Sequence, residues 1–86
     1  KAVAHGRVDT LRVMGAPGSS DTVHYWAVIN SRGRFVEAGY PWKPPLDWAR
    51  SAFEEHLRGM RWTPATFRGI RVASELRDSC VVLREQ

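Results

Sequence analysis

Apolar and polar positions alternate most regularly over residues 22–29. Val23, Tyr25, Ala27 and Ile29 share one parity; His24, Trp26 and Val28 share the other. A period of two is the mark of a strand, and two fairly apolar faces predict a strand inside a sheet or one covered on both sides. Asn30, Ser31, Arg32 and Gly33 follow as a turn, with Gly33 able to take the positive φ that a tight turn needs. Residues 34–38 then return as a second strand. Upstream, Val8, Leu11 and Val13 make residues 7–14 β-compatible with imperfect alternation, and the breakers Gly15, Pro17 and Gly18 predict a loop over residues 15–21. Residues 70–83 form a long β-prone stretch. Val72, Leu76, Cys80 and Val82 share one parity in it, with Ser74 and Asp78 between them.

The period changes between these stretches. Pro41, Pro44 and Pro45 make residues 39–45 a stiff, non-helical connection. Asp47 follows as a candidate N-cap, since its carboxylate can accept from unpaired amides at a helix start. Ala49, Ala52, Phe53, Leu57 and Met60 then recur at spacings of three and four, which places them on one helical stripe. Arg50, Glu54, Glu55 and Arg58 fall largely on the other side, and Arg50 with Glu54 is a candidate surface pair. Gly59 weakens the last turn and Pro64 forbids continuation, so residues 61–69 read as an irregular link. The economical solution is an α+β fold: a small antiparallel sheet of three or four strands with one amphipathic helix packed on one face. Residues 1–21 form an N-terminal segment with a candidate extra strand and a loop; residues 22–86 form the main domain.

Length changes the picture only by limiting it. A chain of 86 residues fits one small domain with little stability to spare. The formal net charge of +4 permits contact with nucleic acid, anionic lipid or an acidic protein and selects none of them. One cysteine, Cys80, allows no intrachain disulfide. No apolar run approaches the length of a membrane span, and no signal peptide is visible. Since Lys1 is not an initiator, the chain is read as a fragment or a processed form, so any N-terminal anchor would precede it.

Residues that carry chemistry are scarce. His5, His24 and His56 show no metal-ligand spacing. Cys80 lies in an apolar β stretch and reads as a small buried hydrophobe. Ser19, Ser20 and Asp21 read as a solvated turn, and no nucleophile elbow or phosphate-binding glycine pattern occurs. Glu54 and Glu55 are adjacent, so on a helix they diverge. No catalytic residue, metal or cofactor is expected. Of the four tryptophans, Trp62 and Trp26 read as core, while Trp42 and Trp48 flank the proline segment and pack there or anchor a partner.

One set of positions has a wider likeness. Leu46, Asp47, Ala49, Ala52, Phe53, Met60, Arg61-Trp62, Pro64-Ala65, Gly69 and Val72 occur in the order of the helix-to-last-strand signature of TonB C-terminal domains. Arg61-Trp62 fills the family's basic–aromatic step, Pro64-Ala65 its Pro-Ala pair, and Gly69 with Val72 its strand entry. Val23, Tyr25, Ala27, Ile29 and Gly33-Arg34-Phe35 resemble its first hairpin, so the likeness runs over residues 22–83. The resemblance implies a non-catalytic periplasmic domain of an energy transducer, anchored in the inner membrane by a segment not in this chain and driven there by a motor complex. Its implied partner is the TonB box of an outer-membrane receptor that imports siderophores, cobalamin or similar nutrients. The implied mechanism is β-strand addition to an exposed edge, placed within residues 72–83, with Val72, Ser74, Leu76, Asp78, Cys80 and Val82 as the partner-binding residues. Edge strands also permit a homodimer. The alternatives are a basic nucleic-acid-binding module, a TonB-like domain serving another envelope protein–protein interaction, and a small enzyme, the last disfavoured for want of a nucleophile, base and stabiliser.

Overall fold

The computed structural model describes residues 2–4, 6, 10–14 and 20–85. In chain order the elements are β1 (Val3–Ala4), β2 (Thr10–Met14), β3 (Ser20–Ile29), β4 (Phe35–Gly39), α1 (Asp47–Gly59), β5 (Trp62–Thr63), β6 (Ala65–Phe67), β7 (Ile70–Val72) and β8 (Ser74–Glu85). The main sheet has the order β2-β8-β3-β4. The fold is a small α+β domain in which one helix packs against a mixed sheet. The expected sheet was purely antiparallel. It is mixed because β2 runs parallel to β8, Thr10 opposite Val81 and Met14 opposite Glu85, whereas β3 runs antiparallel to both β8 and β4.

The alternation over residues 22–29 sets the core. Val23, Tyr25, Ala27 and Ile29 are buried beneath the helix, while His24, Trp26 and Val28 line the opposite face. From the helix come Ala49, Phe53 and Leu57, all fully buried at spacings of four, followed by Met60. The Phe53 ring lies 4.6 Å from that of Tyr25 at a tilt of 55°, a geometry favoured by the ring quadrupoles. Burying a side chain such as Phe53 or Leu57 stabilises by about 1.5–3 kcal/mol. Cys80 and Val82 complete this layer from β8, so Cys80 is the small buried hydrophobe its setting predicted.

The helix start differs from expectation. Asp47 is the first helical residue, and Leu46 holds the cap position with no side-chain cap. The Leu46 amide donates to Asp21 Oδ2 at 2.9 Å, which ties the helix start to β3. Ser20 and Asp21 belong to β3 and not to the expected loop because they pair with Leu83 and Val82 of β8; residues 15–19 of that loop lie outside the described residues, as do residues 7–9 of the expected first strand and His5. The Arg50–Glu54 pair is not formed. Arg50 reaches Asp47 and Arg58 reaches Glu54, each at 3.4 Å, because Glu54 also accepts a 2.6 Å bond from the Tyr40 hydroxyl. Burial and that bond both push the Tyr40 hydroxyl well above the ordinary tyrosine range.

Residues 61–69 are ordered rather than irregular. The Trp62 amide donates to the Gly33 carbonyl at 3.0 Å, tying β5 to the β3–β4 turn. Gly33 has φ +77°, and a Cβ there would collide with the Trp62 carbonyl, so the position needs glycine twice over. Asn30 Oδ1 fixes the same turn by accepting from the amides of Arg32 and Arg34, at 2.9 and 3.0 Å. Then β6 and β7 form a two-residue hairpin, with Arg68 at φ 54° and Gly69 at φ 81°. Two consecutive positive φ values suit the twist of a tight hairpin. The long stretch expected over residues 70–83 is therefore broken at Ala73, where β7 ends and β8 begins.

Candidate functional site

An exposed strand edge is a row of unpaired N–H and C=O groups, so the flanks of β8 decide what it can bind. Val81 to Leu83 are filled on both sides, by β2 and by β3, and Arg84 and Glu85 pair with β2. Ser74 to Ser79 pair with Ile29 to His24 on one side, and no strand among the described residues pairs with them on the other. The N-terminal segment does not reach that stretch with its first strand: Val3 and Ala4 sit opposite Thr63 and Trp62. The outer flanks of β4 and β2, and that of β3 over Ser20–Tyr25, are likewise unpaired among the described residues.

The expected partner-binding residues therefore fall in three places. Ser74, Leu76 and Asp78 lie on the vacant flank. Val72 lies off β8 altogether, in β7 opposite Ala65. Cys80 and Val82 are buried in the core layer, and Val82 stands between Leu11 of β2 and Asp21 of β3. The vacant stretch is thus shorter than the expected 72–83, because β2 has taken the far half. The helix-to-strand signature positions serve the fold: Ala49, Phe53, Trp62 and Ala65 are buried, Ala52 is half-buried, Asp47 is helical, Pro64 links β5 to β6, and Arg61 is exposed.

Beside the vacant flank lies a cavity of about 320 Å³, lined by His24, Tyr25, Pro41, Trp42, Arg77, Asp78 and Ser79. It opens on the sheet face opposite the helix. The proline segment bends there after Gly39, and Trp42 folds back so that its ring lies 4.9 Å from that of His24. Trp42 is nevertheless 74% exposed. Trp26 does not enter the core either; its indole lies across Gly39, where a Cβ would collide with the ring. Trp48 is half-buried and stacks under the Arg84 guanidinium, 4.2 Å from the ring centroid. On the helix side of the sheet, burial and the neighbouring Asp78 charge push the Tyr25 hydroxyl above its usual range. At the start of the flank, Ser74 Oγ is buried with no hydrogen-bond partner among the described residues.

No signal in the sequence announced the Trp42–His24 contact, since the two residues meet only through the bend at the prolines. The β6–β7 hairpin had one: the Arg68-Gly69 pair sits between β-prone Thr66-Phe67 and Ile70-Arg71-Val72. Among the described residues, no group of three His, Cys, Asp or Glu side chains converges to hold a metal, and no helix is long and apolar enough to cross a membrane. Compared with protein-family models, with curated proteins and with solved structures, the chain matches none.

Proposed function

We propose that this chain is a protein-binding module that takes an extended segment of another protein onto the vacant flank of β8, as a TonB-like energy transducer takes the TonB box of an outer-membrane receptor. The observation that carries this reading is the stretch Ser74–Ser79, unpaired on one side among the described residues and close to an open aromatic cavity, in a strand whose continuation already accepts a parallel neighbour. In keeping with the TonB resemblance, the hairpin β3–β4 is followed by a helix and then by a last long strand that pairs with the first strand of that hairpin. On this reading the module works in the periplasm, linked through a preceding segment to an inner-membrane motor complex, and it binds without catalysing.

Magnitudes separate the roles of backbone and side chain. Every second residue of an edge strand points its N–H and C=O outward, so Ser74–Ser79 offer about six groups. At a net ~0.5–1.5 kcal/mol each, they contribute at most about 9 kcal/mol. Ordering six guest residues costs a comparable ~6–12 kcal/mol. The ladder therefore supplies direction and register, and guest side chains in the Trp42 cavity must supply the surplus.

The test is titration of a labelled TonB-box peptide against the wild-type chain, Leu76→Ala and Leu76→Pro, with folding checked by circular dichroism. Proline removes a ladder donor and should abolish binding, whereas alanine should weaken it by only a few-fold. A folded Leu76→Pro chain that bound the peptide normally would defeat the proposal. Salt is a second control: strand addition responds mildly to it, whereas contact with nucleic-acid phosphates weakens steeply.

A further inference from the structure

The positive charge of this chain is not spread over it. Residues 30–36 and 61–74 carry Arg32, Arg34, Arg61, Arg68 and Arg71 and contain no Asp or Glu. These five exceed the net charge of +4, so the rest of the chain sums to −1. The fold gathers the two segments at one end, because the Gly33–Trp62 hydrogen bond joins them. There a cavity of about 250 Å³ is lined by Arg32, Arg61, Trp62, Thr63, Pro64 and Arg71. None of its three guanidinium groups makes an ion pair with a described residue. The frame beneath them is stiff: Asn30 holds the backbone of Arg32, Trp62 is buried, and the β6–β7 ladder holds Arg71 opposite Thr66.

Next to this basic cavity stands an apolar tip. Phe67 and Ile70 face each other across the β6–β7 hairpin and are 63% and 69% exposed, with the Arg68 guanidinium 5.3 Å from the Phe67 ring. A paired aromatic and aliphatic residue rimmed by unpaired arginines matches the boundary of an anionic bilayer, where hydrocarbon lies just below a layer of phosphate. A nucleic-acid surface would use flat rings, and Ile70 offers none.

We propose that this end of the molecule docks on an anionic membrane surface, with Phe67 and Ile70 entering the interface while Arg32, Arg61 and Arg71 hold headgroup phosphate. Docking here leaves the flank of β8 uninvolved, so the proposal does not rest on strand addition. The experiment is co-sedimentation of the chain with vesicles of phosphatidylcholine alone or with about one third phosphatidylglycerol, at low and high salt. Binding should require the anionic lipid and fall with salt. Replacing all three cavity arginines (Arg32→Gln, Arg61→Gln, Arg71→Gln) should weaken it on the order of 100-fold, and the double variant Phe67→Ser, Ile70→Ser on the order of tenfold. All five side chains are exposed, so both variants should fold, which circular dichroism checks, and both should bind the β8 peptide as before. Equal binding to both vesicle types, no binding to either, or variants that sediment like the wild type would overturn the proposal. Retention of a single-stranded oligonucleotide with no vesicle binding would do the same and make the cavity a nucleic-acid site.

Discussion

The two halves of β8 are continuous in backbone yet opposite in situation. From Val81 to Leu83 the strand has a neighbour on each side and buries Val82; from Ser74 to Ser79 it has one neighbour among the described residues and exposes most of its side chains. Composition alone does not make the difference. Among the described residues, the pairing of β2 with β8 runs from Thr10, opposite Val81, to Met14, opposite Glu85. The comparison teaches that this flank is compatible with a parallel strand, because the chain itself supplies one over half the length. It also shows why a guest would stop where it does, since β2 blocks further extension.

Proline exposes the contrast most sharply. Val82→Pro should cost more than about 3 kcal/mol, since it breaks a ladder inside the sheet and empties part of the core. Chemical denaturation would read this as a large drop in midpoint. If Val82→Pro proved no more harmful to stability than Leu76→Pro, the two halves would not differ as described. Trp42→Ala comes next. It should leave stability within about 0.5 kcal/mol of wild type, because the ring is mostly exposed, but weaken peptide binding by about 1–2 kcal/mol, or roughly tenfold. Unchanged affinity would show that the cavity is no part of the site. Ser74→Ala is the smallest change. Removing a buried, unpartnered hydroxyl should raise stability by up to ~1 kcal/mol in the absence of a guest. If the guest supplies the missing partner, the same variant binds it less tightly, and the two effects separate by measuring both.

Much of the fold was legible because it rests on local periodicity. The alternation of Val23, Tyr25, Ala27 and Ile29 and the stripe of Ala49, Phe53 and Leu57 predicted the two faces that form the core. Gly33 announced the turn. What escaped was set by contacts distant in sequence. Asp47 looks like a helix cap, but Leu46 holds the cap position and its amide is bonded by Asp21 from another strand. The parallel placement of β2 leaves no periodic trace, so the sheet reads as antiparallel until the strands are seen side by side. The site was half legible for the same reason. β-propensity marked the whole of residues 70–83, but propensity says nothing about which stretch keeps an empty flank. Trp42 and Trp48 flank one proline segment and look equivalent in the sequence, yet one lies open beside His24 and the other lies under Arg84.

The position of β8 has a consequence for how the molecule is made. Its twelve residues close the sheet by entering the slot between β2 and β3. Every residue of β2 meets a partner 71 positions later in the chain. Such distant pairing is slow to find, and during synthesis it cannot begin until residues 81–85 have emerged. Until then the apolar underside of the β3–β4 ribbon has only the helix to cover it, so the nascent chain passes through a stage in which a sticky strand waits for its last and longest companion.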